Sequence, residues 1–209
     1  SVDGFFVARR AVCETVRGVR ALVIAALVAL PAVVSADPLA VTSWDEIGIV
    51  HARIDMTNGD LVDGYAVRFA PRVPISSNVY IGAELDTGTL SGRVATSPAF
   101  RVSGSGGEMA SGTPVTGKFG AVRAVVGVRA RFGILSAAGE FAVGAHAADL
   151  RDDLGQEVAG RTNETILEGR ARLDLWVSPR LTVGGIAGVG LDDSRDLTAG
   201  IMLGYHWGN

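Results

Sequence analysis

From residue 47 to residue 207 apolar and polar side chains alternate with period 2, in runs of about ten residues or more. Strands place successive side chains on opposite faces, so each run divides into an apolar face and a polar one. The alternation predicts eight strands: 47–56, 64–72, 78–87, 119–132, 140–149, 165–177, 181–191 and 196–207. In 165–177 the division is cleanest. Glu168, Arg170, Arg172 and Asp174 occupy one face, and Leu167, Gly169, Ala171, Leu173, Leu175 and Val177 the other.

The same reading gives the remaining strands their polar faces. His51, Arg53 and Asp55 stand against Val50, Ala52, Ile54 and Met56; Arg68 and Arg72 against Tyr65, Val67 and Phe69. Tyr80, Glu84 and Asp86 oppose Val79, Ile81, Ala83 and Leu85, and Arg123, Arg129 and Arg131 oppose Val122, Ala124, Val126, Val128, Ala130 and Phe132. Glu140 and His146 lie opposite Phe141, Val143, Ala145 and Ala147. The last two strands set Thr and Gly positions with His206 against Leu, Val, Ile and the aromatics Tyr205 and Trp207.

Two architectures use such strands. In a soluble sandwich the apolar faces meet in a core and charges face water. In a transmembrane barrel apolar residues face lipid and polar ones fill the interior. Run length favours the barrel, since globular strands are typically ~5–6 residues and membrane strands need ~9–11. So do the many glycines and alanines beside the charges, because a narrow eight-stranded interior must be filled by side chains of alternating size. Eight interior cations (Arg53, Arg68, Arg72, Arg123, Arg129, Arg131, Arg170, Arg172) face seven anions (Asp55, Glu84, Asp86, Glu140, Glu168, Asp174, Asp196), a near balance that suits paired burial. Trp44, Tyr65, Phe132, Trp176, Tyr205 and Trp207 near strand ends suggest an interfacial girdle. Lipid offers no hydrogen-bond partner, so the sheet must close.

The first residues obey a different rule. Arg9, Arg10, Arg17 and Arg20 precede an apolar run, "ALVIAALVALPAVV" (21–34), and small residues at Val34 and Ala36. This is the layout of a cleaved secretory signal peptide over 1–36. A short N-terminal periplasmic segment (37–46) is then expected to lead into a membrane-spanning barrel over 47–209. Four of the 19 basic and two of the 22 acidic residues fall within 1–36, leaving 15 against 20, a net charge of −5 that points away from nucleic acid. Cys13, the single cysteine, leaves with the signal, which removes disulfides, thiolate metal sites and a cysteine nucleophile from consideration. Of the 19 basic residues only Lys118 is lysine.

The connections alternate in length. The turns at 74–78, 134–139 and 178–180 are short, whereas 57–63, 88–118, 150–164 and 192–195 become the external loops of a barrel whose N-terminus is periplasmic. The closing segment "LTAGIMLGYHWGN" alternates up to an aromatic near the end. With the eight-strand pattern of 47–209 it resembles the small eight-stranded outer-membrane β-barrels of the OmpA/OmpX type in Gram-negative bacteria. The resemblance implies an all-β, antiparallel, up-and-down transmembrane barrel in the bacterial outer membrane. It also implies a structural or surface-interaction role, outer-membrane lipid and lipopolysaccharide as neighbours, assembly by the barrel-insertion machinery, and a monomer.

Candidate chemistry is sparse. His51, His146 and His206 share the expected inner face without a nucleophile in register; His146 and Ser136 fall at opposite ends of one strand. Carboxylate pairs in "RDDLGQE" (151–157) and "LDDSRD" (191–196) do not follow EF-hand spacing. "SGSGGE" (103–108) lacks the strand–helix context of a phosphate loop. No catalytic residue, cofactor or metal is expected. The expected functional constellation is the interior network of Arg53, Asp55, Arg68, Glu84, Asp86, Arg123, Arg129, Arg131, Glu140, Glu168, Arg170, Arg172 and Asp174. It would be either a plug or the lining of a narrow porin-like channel. A lipid-modifying enzyme and a secreted, lipocalin-like binder are the other classes this pattern allows.

Overall fold

The structure, a computed structural model, describes residues 42–55, 61–94, 113–156, 164–191 and 196–207. Eight strands form one closed antiparallel barrel in which every strand pairs with its neighbours in sequence and β8 returns to β1. They are β1 (Trp44–Asp55), β2 (Leu61–Pro74), β3 (Val79–Val94), β4 (Thr113–Phe132), β5 (Leu135–Asp152), β6 (Glu164–Ser178), β7 (Leu181–Gly190) and β8 (Leu197–His206). The seam runs in continuous register from Trp44↔His206 to Arg53↔Leu197. Beyond it Trp207 donates its backbone N–H to Ser43 O (2.7 Å) and its indole N–H to Asp45 (2.9 Å).

One rim carries tight turns. Gly133 and Ile134 join β4 to β5, with Gly133 at φ 62°, a conformation that L side chains rarely adopt. The other rim carries the longer connections. Strands β3, β4 and β5 have 16, 20 and 18 residues, against 10 each for β7 and β8. At about 3.3 Å per residue, these three longest strands reach well beyond β7 and β8 and form a wall on the loop rim. The 88–118 connection is correspondingly shorter than the alternation suggests: β3 runs on to Val94 and β4 begins at Thr113. β1 likewise begins at Trp44, inside the segment read as preceding the barrel.

The outer surface is apolar around the middle of the barrel. Ile47, Phe69, Leu85, Val122, Val143, Leu173 and Leu203 all point outward and are exposed. An apolar surface that encircles a molecule far exceeds what soluble monomers display, and lipid is the solvent that suits it.

The polarity of the two faces reverses along each tall strand. In β3 the lower half buries Glu84 and Asp86 and exposes Leu85, while the upper half exposes Thr87, Thr89, Ser91 and Arg93 and buries Leu90 and Val94. β4 does the same, with Arg123 buried and Val122 exposed below, and Phe119 and Val115 buried and Lys118 exposed above. The backbone alternation is unbroken; the surroundings of the outer face change from lipid to water. The upper interior is an ordinary apolar core, in which Val50, Ile54, Val62, Leu90, Val115, Phe119, Leu150 and Ile166 converge.

β1 corrects the sequence reading. Its polar residues at 51 and 53 belong to the upper half, so His51 and Arg53 face outward, and Val50, Ala52 and Ile54 are buried. Arg53 is therefore not an interior residue; it pairs with Asp63 on the outer wall (2.8 Å). Asp55 ends β1, and its side chain lies outside the described residues.

Candidate functional site

The lower and middle lumen is filled by charge. Among the described residues six arginines (Arg68, Arg72, Arg123, Arg129, Arg170, Arg172) meet six carboxylates (Glu46, Glu84, Asp86, Glu140, Glu168, Asp174), each at most 4% exposed. Burying an ion costs several kcal/mol unless partners and hydrogen bonds offset it, and these twelve groups balance in formal charge. Guanidinium forks suit it because each can serve two acceptors in fixed geometry.

Glu84 is the hub. It accepts from Arg170 Nη1 through both oxygens (2.7 Å each) and from Arg72 Nη2 (2.5 Å), with Arg68 at 3.5 Å. Asp86 accepts a fork from Arg68 (2.7 and 2.8 Å) and a bond from Arg123. Arg170 also donates to Glu168 (2.7 Å). Arg172 bridges Asp174 (2.7 Å) on its own strand and Glu46 across the lumen on β1. Tyr80 donates to Glu140 (2.6 Å), and Trp44 to Glu46 (2.6 Å).

Small residues on adjacent strands make room for these side chains. On β7, whose inward positions include Gly184 and Gly188, a Cβ at Gly184 would overlap the Asp174 carboxylate. One at Gly188 would overlap Glu168 and Arg170. The glycines beside the charges are thus a consequence of filling.

At the turn rim the network ends in aromatic rings. The Arg129 guanidinium lies 5.1 Å from the ring centres of both Trp44 and Trp176, and His206 lies 4.3 Å from Trp176. Arg129 also reaches Asp174 (3.0 Å) and Ser136. Arg131, expected in the interior network, sits at the rim instead, its guanidinium 4.1 Å from the Trp176 ring and its Nε donating to Gly133 O. Trp44 and Trp176 point inward and belong to this cap rather than to an outer girdle; Tyr65, Phe132, Tyr205 and Trp207 are the aromatics that face out.

The lumen is thus closed in three layers: an aromatic cap, an ionic middle and an apolar upper core. A cavity at the turn rim beside Trp44 and Tyr80, and another between Phe119, His146 and Glu168, are about 20 Å³ each. Each has room for about one water.

Sequence reasoning missed Glu46, which precedes the strand start read from the alternation, although "WDEI" carries the inward parity of Trp44. It also missed the upper core, because alternation does not say where lipid stops. Of the histidines, His146 and His206 face inward, and His206 meets Thr182 Oγ1 (3.3 Å). Ser136 accepts from Arg129 and from the Trp176 indole. The Asp152 carboxylate accepts from the Leu154 and Gln156 amides, an Asx-type turn. The glycine-rich 103–108 and Asp192–Asp193 lie outside the described residues.

Closed antiparallel topology, an apolar outer belt and a lumen of paired ions are the architecture of a small eight-stranded transmembrane β-barrel. Solved structures show the same fold. One is Ail, the attachment invasion locus protein of Yersinia pestis, in complex with the heparin analogue sucrose octasulfate. It is 17% identical, with 79% of this chain and 98% of that one covered and a TM-score of 0.52. Neisserial surface protein A is 10% identical, with 78% and 95% covered and a TM-score of 0.50. No family model and no curated protein matches the sequence.

Proposed function

We propose that the protein is a monomeric outer-membrane barrel with a structural or surface-interaction role, exported by a signal peptide over 1–36 and assembled by the barrel-insertion machinery. In this reading the turn rim is periplasmic. The loop rim presents the β3–β5 wall and the connections within 88–118 and 150–164 to the exterior, where lipopolysaccharide surrounds it. The observation that carries this reading is the pairing of an apolar belt with a filled, charge-balanced lumen. Such a barrel is built to stand in a membrane and display its outer end, its described interior being filled by paired ions and apolar side chains. The reading assigns it no enzymatic activity.

The Ail structure holds sucrose octasulfate, and a surface that meets anionic saccharides is the kind of role proposed here. The test is cell fractionation followed by planar-bilayer recording of the purified barrel. Recovery in the outer membrane with no discrete conductance is the expected result. Steady channels that change on Arg172→Ala would replace this reading with a narrow porin-like one.

A further inference from the structure

On the outer wall, where the face polarity reverses, β1–β4 form a groove of about 680 Å³. His51, Tyr65, Thr89 and Lys118 make one continuous row across it in register. Two rows lower on the same strands come Ile47, Phe69, Leu85 and Val122, all outward and apolar. On each of these strands the groove therefore lies just beyond the apolar rows, toward the loop rim. We propose that it binds the phosphorylated sugar headgroup of an outer-leaflet glycolipid, whose acyl chains run down the apolar rows beneath.

The groove offers a different chemistry from the lumen. Inside, the described arginines are forks paired with carboxylates. Here stands Lys118, the one lysine in the chain, exposed and with no ion pair among the described residues. A mobile ammonium is a point charge suited to phosphate. The rings of His51 and Tyr65 meet edge-on at 5.2 Å, and Tyr65 is 66% exposed, a free face for a sugar ring. Thr89, Ser91 and Thr116 bring hydroxyls to the same groove.

The carboxylates nearby are already engaged. Asp63 accepts from Arg53 (2.8 Å) and lies 3.5 Å from His51. Asp149, in register beside Lys118 on β5, pairs with Arg151 at 3.3 Å. A soluble anionic saccharide would use the same cation and ring. Continuity of the groove with the apolar rows is what selects a lipid.

This inference rests on the outer-membrane reading, and the experiment separates the two. Folded full-length barrel in detergent is titrated calorimetrically with diphosphoryl lipid A, with dephosphorylated lipid A, and with sucrose octasulfate. Lys118→Glu should weaken diphosphoryl lipid A binding by about tenfold, because it sets like charges together, and should scarcely change binding of the dephosphorylated form. Arg180→Glu, the same charge change on the turn rim, should leave both unchanged. Equal lipid A binding by wild type and a folded Lys118→Glu barrel, or no binding by a folded wild type, overturns the site and leaves the barrel reading standing. Loss of sucrose octasulfate binding alone, with lipid A binding kept, also overturns it in favour of a soluble saccharide. A wild-type chain that needs no detergent sinks the barrel reading itself.

Discussion

Arg170 on β6 reaches across the lumen to Glu84 on β3, and its Nη1 donates to both carboxylate oxygens at 2.7 Å. These strands do not pair with each other in the sheet. The bonds therefore span the barrel, as the Arg172–Glu46 pair does between β6 and β1. Backbone ladders set the circumference; cross-lumen ion pairs hold opposite walls at a fixed distance.

Glu84 faces Arg68, Arg72, Arg123 and Arg170 at once. Glu84→Gln keeps the shape and removes the charge, leaving buried guanidinium groups undercompensated. The expected loss is about 3–5 kcal/mol, read as a lower urea midpoint for the barrel in micelles. An unchanged midpoint would show that the network is not what fills the lumen.

Gly188→Val should prevent folding into the barrel, because the new side chain would occupy the space of Glu168 and Arg170. Gly185, one position from Gly184 and facing out, has no atom nearer its Cβ position than Gly200 O at 3.8 Å. Gly185→Ala should therefore change stability by no more than about 0.5 kcal/mol. Both are checked by the yield of folded protein from urea dilution into detergent.

The reversal of face polarity along β1 makes a paired prediction. Ile47→Arg puts a charge in the belt and should destabilise the barrel by about 2–4 kcal/mol if inserted in bilayers. Arg53→Leu, on the same face above the belt, should be close to neutral. Equal effects would mean that lipid does not stop between Ile49 and His51.

The seven strands from β2 to β8 were legible because their longest stretches lie within the belt, where Arg68, Glu84, Arg123, Glu140 and Arg170 alternate with outward-facing apolar residues and glycine. β1 misled for the same physical reason that β3 and β4 run longer than expected. Above the belt water replaces lipid, so His51, Arg53, Thr89 and Lys118 face out and Val50, Leu90 and Phe119 face in. Local alternation is identical in both halves; only a three-dimensional level, shared by all strands, tells them apart. Glu46 and the inward turn of Trp44 and Trp176 were hidden similarly, since a strand-end aromatic suits a girdle and a lumen cap alike.

The most direct test of an apolar belt around a buried ionic lumen is electrophoretic mobility of the detergent-folded chain, boiled against unboiled. The structure predicts a heat-dependent shift, the sign of a closed barrel that resists detergent until heated. One mobility under both conditions, from a chain that stays soluble in plain buffer, would contradict it: the apolar faces would then meet each other, and the charges would meet water.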